Sequence, residues 1–181
     1  MGKPVSKKLN IHELYASWID TKIGSMIAIA DDEFLYLLEF VDRRGLETEI
    51  EKLRNRLIAV IIPKKNDVLN QIERELNQYF ESKLDEFSTP IKYFGSEFQI
   101  KVWNSLRKIP FGSTLSYLDI ATSIDCPKAV RAVGRVNGLN QLSIIVPCHR
   151  VIGKDGELVG YGGGLERKKW LLKHESESVI I

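Results

Sequence analysis

The sequence predicts an α/β protein of the α+β kind. Three observations predict it: three short β-like runs come first, two amphipathic helical stripes follow, and the second half holds short helices across tight turns. The expected plan is an N-terminal antiparallel three-stranded sheet with helices over residues 1–88, a linker over 89–95, and a second domain over 96–181. At 181 residues, 44% hydrophobic and 28% charged, the chain can build one ample core or two small ones.

The elements follow in order. Tyr15–Asp20, Gly24–Ala30 and Phe34–Phe40 alternate as strands do, and the acidic turn Asp31-Asp32-Glu33 joins the last two into a meander. Leu46, Ile50, Leu53, Leu57 and Ile61 recur at helical spacing up to Pro63, and Leu69, Ile72, Leu76 and Phe80 make a second stripe. Periodicity lapses around Ser88–Gly95, punctuated by Pro90 and Gly95, which marks the linker. Ser96-Glu97-Phe98-Gln99 is a capping box opening a helix through Phe98, Val102, Leu106 and Ile109 to a stop at Pro110. Ser116 caps a short helix through Tyr117, Ile120 and Ala121, and Pro127 stands at the first position of another running to about Asn137.

Two short helices across a tight turn suggest a helix-turn-helix. The second presents Lys128, Arg131 and Arg135, with Ala129, Ala132 and Gly134 between them. Small residues there suit either close approach to a DNA groove or tight helix packing, and the pattern alone leaves both open. Charge distribution bears on this choice. Residues 1–88 carry 13 Lys and Arg against 16 Asp and Glu, a net of −3, whereas residues 89–181 carry 13 against 8, a net of +5. A sign change of this kind is expected when only one half meets a polyanion.

No apolar run approaches the roughly 18 residues that span a bilayer, and Met1–Asn10 is polar with no apolar signal core behind it. A cytoplasmic protein without membrane contact is therefore expected. Two cysteines, Cys126 and Cys148, are too few for a disulfide framework and are read as free thiols.

The stretch carrying chemistry is Ile144-Ile145-Val146-Pro147-Cys148-His149-Arg150-Val151-Ile152-Gly153. A cysteine on an apolar strand is usually an inert small hydrophobe. Here Pro147 interrupts the strand before the thiol, and His149 and a second cation, Arg150, follow it. Cations and a proton-accepting imidazole favour the nucleophilic thiolate. On extended backbone His149 would reach Cys148 only around the chain or through a water. Glu175, in the C-terminal helix, is a candidate to orient the imidazole.

Pro147-Cys148-His149-Arg150-Val151 resembles the active-site signature of the O6-alkylguanine-DNA alkyltransferases, the methylated-DNA–protein-cysteine methyltransferases. The resemblance extends through Phe98-Gln99, Val102-Trp103, Ile109-Pro110-Phe111-Gly112, Ser116-Tyr117, Ala132-Val133-Gly134, Asn140, Tyr161, Gly163-Gly164-Leu165 and Trp170-Leu171-Leu172, covering essentially Gly95 to Glu175. It implies a C-terminal winged helix-turn-helix domain that carries the active site and binds double-stranded DNA containing O6-alkylguanine through the minor groove. It also implies irreversible transfer of the alkyl group from a flipped-out guanine to the protein, once per molecule.

Carried onto matching positions, the resemblance implies that Cys148 is the acceptor, His149 its water-mediated base and Glu175 the residue orienting His149. Asn140 would brace the turn between recognition helix and active site. Tyr117 would sit at the flipped nucleotide, and Arg131 would be the finger filling the vacated stack. Val151 and Cys148 would hold the base through their carbonyls, and Gly162, in the wing loop beside Tyr161, through its N–H. Gly160–Gly164 reads as the wing, or by composition alone as a flexible turn.

No cofactor is required. Zinc is not expected, because only His12 and no cysteine precedes Cys126. Cys126 is read as structural, His12 and His174 as surface or helix-end residues, and the protein as a monomer. Two other functions compete: a DNA binder without catalysis, which retention of Cys148 disfavours, and a Cys-His-Glu acyl hydrolase, which would turn over repeatedly.

Overall fold

Alternation along the first forty residues produces the expected meander. In a computed structural model describing residues 11–178, strands β1 (His12–Thr21), β2 (Gly24–Ala30) and β3 (Leu35–Phe40) pair antiparallel in sequence. The polar start, residues 1–10, and residues 179–181 lie outside the described residues. Helix α1 (Leu46–Leu57) follows, and then a fourth strand, β4 (Ala59–Pro63), pairs parallel to β1 and gives the order β3-β2-β1-β4. Ile61 is thereby corrected from a helical to a strand position. Ile58 takes a left-handed φ of 49° and caps α1 through its N–H, and the β-branched run Val60-Ile61-Ile62 suits a sheet edge.

β3 is buried along its whole length because both faces of the sheet are covered. Ile27, Ile29, Tyr36 and Leu37 face α1, through Leu53. Met26, Ala28, Leu38 and Phe40 share a core with Leu69, Ile72, Leu76 and Tyr79 of α2 (Asp67–Phe80) and with Val102, Leu106 and Val133 of the second half. The two halves thus meet in one apolar interior. Residues 88–95 hold no helix, but they are tied down: Thr89 hydrogen-bonds Glu75, and Pro90 and Lys92 pair with the backbone of Leu35.

The second half begins with α3 (Glu97–Leu106), its capping box closed by Ser96 and Gln99 as expected. Ile109 lies beyond the helix end, buried in the following turn. After β5 (Leu115–Ser116), Ser116 and Asp119 cap α4 (Tyr117–Ser123) reciprocally. The next helix is shorter than expected: α5 spans Val130–Gly138, and Pro127, Lys128 and Ala129 form the preceding turn, closed by the Ala129 N–H on the Cys126 carbonyl. Cys126 is a half-buried free thiol there. Strand β6 (Val151–Ile152) pairs with β5, and α6 (Leu165–Ser178) ends the described chain. Among the described residues no helix is long and apolar enough to cross a membrane.

Candidate active site

The expected extended backbone at the thiol is not found. Ile144 adopts φ 73°, and Cys148–Arg150 form a 3-10 turn before β6. The turn lets consecutive side chains diverge into different surroundings. Cys148 is 4% exposed, and its Sγ accepts a hydrogen bond from Asn140 Nδ2 at 3.1 Å. The same amide group donates to the Val146 carbonyl at 2.8 Å, and Asn140 Oδ1 accepts from the Leu142 N–H at 3.0 Å. Asn140 therefore knits the turn after α5 to the segment bearing the thiol.

His149 is wholly buried and meets Glu175 Oε1 through Nε2 at 2.7 Å. A carboxylate at Nε2 favours the tautomer protonated there, leaving Nδ1, which has no protein partner, as the basic nitrogen. Arg150 turns the other way. Rather than approaching the thiol, its guanidinium pairs with Glu175 at 2.8 Å through Nε and donates to the Ile109 carbonyl at 2.6 Å. This corrects the expectation that Arg150 favours the thiolate directly. Glu175 also accepts from the Tyr79 hydroxyl at 2.7 Å and the Gly112 N–H at 3.3 Å.

These surroundings set the protonation states. Burial pushes the Cys148 thiol up to about 11 against the hydrogen bond from Asn140, so the resting group is a thiol. Burial likewise lowers His149 below its ordinary value despite Glu175, leaving the imidazole neutral. Burial alone would raise Glu175, but hydrogen bonds and charge from His149 and Arg150 outweigh it and hold the group at about 2. The site thus presents a thiol, a neutral imidazole and a fixed carboxylate, all out of bulk water.

Beside it lies a cleft of about 420 Å³ lined by Tyr117, Val130, Gly134, Asn137 and the loop Val159–Gly162. The Tyr117 hydroxyl donates across this cleft to the Val159 carbonyl at 3.0 Å, and burial, then Cys148, raises its pKa. Tyr161 is half-buried, its ring centroid 6.5 Å from that of His149. Gly163 could not be another residue without movement, since a Cβ would lie 2.7 Å from the Tyr161 ring and 2.9 Å from Phe40. Both carbonyls singled out in the sequence already have partners: Cys148 O accepts from Asn137 Nδ2 at 3.2 Å, and Val151 O from Lys168 Nζ at 2.6 Å.

Lys168 was not among the expected residues. It is wholly buried, and its ammonium also reaches the carbonyls of Val159 at 2.9 Å and Gly160 at 3.4 Å, tying the glycine-rich loop to β6; burial draws its pKa down to about 8. Arg43, from the loop after β3, was also missed. It donates to the carbonyls of Asn140 at 2.7 Å and Gly138 at 2.9 Å. His174 is half-buried near the C-terminal end of α6, stacked on Trp170 and bonded to the Tyr79 carbonyl, which corrects the surface half of its reading as a surface or helix-end residue.

Of the expected DNA-facing residues, Tyr117 and Gly134 line the cleft, whereas Lys128, Arg131, Ala132 and Arg135 are exposed and apart from it, and Val133, Val136 and Asn137 of α5 point inward. Ala129 and Gly134 are half-buried, and a Cβ at Gly134 would only touch the Tyr117 ring. A basic outer face therefore sits across α5 from the buried thiol.

Comparison with known proteins gives a consistent result. Residues 97–177 match the family model for the 6-O-methylguanine DNA methyltransferase DNA binding domain, and residues 14–93 match that family's ribonuclease-like domain. The chain is 46% identical over 135 residues to the inducible methylated-DNA–protein-cysteine methyltransferase of Bacillus subtilis, covering 75% of each chain. It is 39% identical to the Mycobacterium leprae methylated-DNA–protein-cysteine methyltransferase, covering 90% of this chain and 92% of that one. Its fold is similar to the crystal structure of Mycobacterium tuberculosis O6-methylguanine methyltransferase, with a TM-score of 0.79 at 36% identity over 91% of this chain and 94% of that one. A structure of the M. tuberculosis protein in complex with DNA matches with a TM-score of 0.78 at 36% identity, covering 92% and 94%.

Proposed function

We propose, from the premise that the chain belongs to the 6-O-methylguanine DNA methyltransferase family, that it repairs DNA by moving an alkyl group from guanine O6 to its own Cys148. The observation that carries this assignment to a residue is the buried Cys148 thiol, held by Asn140 beside the His149–Glu175 pair.

The chemistry follows from the protonation states. His149 Nδ1, through one bridging water, takes the proton from Cys148 Sγ, and Glu175 stabilises the imidazolium that forms. The sulfur attacks the alkyl carbon, the C–S bond forms as the C–O6 bond breaks, and the electron pair goes to the guanine. Tyr117, a half-buried phenol with a raised pKa, gives its proton to the leaving base and recovers one from the His149 imidazolium through water, so the thiol proton ends on the guanine. The products are an S-alkylcysteine and an ordinary guanine. A thioether is a poor donor in the reverse direction, so each molecule acts once.

The stacked base cannot be attacked in line and must leave the duplex, at a cost of a few kcal/mol. The exposed Arg131 enters the stack, while Ala132, Ala129 and Gly134 let α5 and its leading turn approach the minor groove. Lys128 and Arg135 contact phosphates. The base enters the cleft beside Tyr117, with Tyr161 and the Gly162 N–H on its wing side. The Val151 carbonyl, shared with Lys168, recognises the base through its second lone pair, whereas the Cys148 carbonyl already accepts from Asn137 Nδ2 and the Val151 N–H and exchanges one of these for the base. Residues 1–88 and 96–181 act as two units joined by 89–95, a division supported by the gap in regular structure between Phe80 and Glu97. Every residue of the relay comes from one chain, which supports a monomer, and the free thiols suit the reducing cytoplasm.

The test is a titration of excess O6-methylguanine duplex with protein, followed by peptide mass mapping. Product should plateau at one equivalent of protein, with one methyl replacing hydrogen on Cys148 and none on Cys126. Cys148→Ala should bind the duplex and transfer nothing. Turnover past one equivalent, or methylation at Cys126, overturns the assignment.

A further inference from the structure

Tyr79 belongs to α2, 96 residues before Glu175, yet its hydroxyl ends on the carboxylate that meets His149. Its ring is fully buried among Phe80, Phe87, Phe111 and His174. Packing explains the ring but not the hydroxyl, since a buried phenol needs only some acceptor. This one donates at 2.7 Å to Glu175 Oε1, the same oxygen that meets His149 Nε2 at 2.7 Å. Arg150 Nη2 reaches that oxygen at 3.1 Å, while Arg150 Nε and the Gly112 N–H occupy Oε2. Five donors on one carboxylate exceed its four or so lone-pair sites, so Tyr79 and His149 compete for Oε1.

We infer that Tyr79 is a positioning residue for alkyl transfer, acting through Glu175 to set how firmly His149 holds a proton. The inference rests on the His149–Glu175 relay proposed above. A hydrogen bond to Oε1 withdraws negative charge from the oxygen that supports the imidazolium, and it fixes that oxygen in line with Nε2. Without the hydroxyl, Glu175 would pair more strongly with a protonated His149 and would be freer to turn. The phenol remains a donor throughout, because burial and the adjacent carboxylate hold its own pKa well above the ordinary range.

The other groups facing the relay are Cys148 and Arg150 on the 3-10 turn, Lys168 on α6 and Tyr161 on the wing loop, with His174 against the Tyr79 ring. Tyr79→Phe alters none of them. A change in the titration of His149 would therefore report the hydroxyl.

The experiment measures single-turnover transfer from an O6-methylguanine duplex across about pH 5 to 9, the range in which a perturbed imidazole limits rate. Tyr79→Phe should lower the plateau rate roughly three- to tenfold, the worth of one net hydrogen bond. It should also move the acid limb upward by roughly half a pH unit, as expected for a more basic imidazole. A plateau lowered with the limb unmoved overturns the inference, because loosened packing alone gives that result; an unchanged profile overturns it too. Replacing Tyr79 by 3-fluorotyrosine keeps the hydroxyl and makes it a stronger donor. The acid limb should then move downward, and failure to do so overturns the inference even where the Phe variant does not fold. Glu175→Gln with a wild-type profile would instead overturn the relay itself, an outcome distinct from an unmoved limb in the Tyr79 variants alone.

Discussion

Glu175 and Glu39 are both 1% exposed, one bonded to His149 and the other bearing on Cys148, yet they behave as opposites. Glu175 accepts from four residues and is held at about 2. Glu39, on β3, pairs with Arg43 at 2.7 Å and accepts from Ser143, but its Oε2 has no partner, and burial raises it to about 7. Burial opposes ionisation in both cases, and the donor count decides which side wins. The carboxylate needed as a permanent charge beside His149 is saturated. The one that braces β3 against the 138–143 turn is left between two states.

The largest effect that separates them is on stability. Glu175→Gln leaves Arg150 buried without its counter-charge and should cost about 3–5 kcal/mol by urea denaturation. Glu39→Gln should cost less than about 1 kcal/mol, since the amide still bonds Ser143 and Arg43 keeps two carbonyls. Equal losses would break the comparison. The second effect is acid sensitivity. The folded value of Glu175 is depressed from about 4.5 to about 2, so its stabilisation is complete above about 4.5 and fades as pH falls through about 2. Near 1.4 kcal/mol per pH unit, the loss amounts to about 3 kcal/mol. Urea midpoints through that window should fall in the wild type and stay flatter in Glu175→Gln.

How much of this was legible in sequence differs between the same two residues. Cys148 and His149 are legible from the residues themselves, with Glu175 as a candidate, and Asn140 through the family resemblance; the structure pairs Cys148 with Asn140 and His149 with Glu175. The capping boxes at Ser96 and Ser116 were readable because their signal is local. Tyr79 and Glu39 were not, because each lies inside a segment whose pattern already had an explanation: Tyr79 adjoins a core stripe, and Glu39 lies within a buried strand. Their partners lie 96 and 104 residues away along the chain. Lys168 did leave a signal, since Lys168, Leu171 and Glu175 share one helical face at spacings of three and four, and all three are buried. The fourth strand was hidden by coincidence, because Ile61 continues the spacing of the helix before it.

The smallest effect is the sharpest test of Glu39. Its folded value is raised from about 4.5 to about 7, so through that window the folded state keeps a proton that the unfolded state has lost. Stability must then fall as pH rises from about 4.5 to about 7 and remain lower above it, the reverse of the Glu175 slope. The full shift corresponds to about 3 kcal/mol, but relaxation and water entry around buried charges reduce such penalties, and about 1–2 kcal/mol is expected. Glu39→Gln has no proton to lose. The difference between variant and wild type, read from urea midpoints at about pH 5 and about pH 8, should therefore grow in the variant's favour with pH. His149 titrates in both proteins and cancels in that difference. Parallel curves would mean that Arg43 keeps Glu39 ionised throughout, and the two carboxylates would then differ only in the number of their donors.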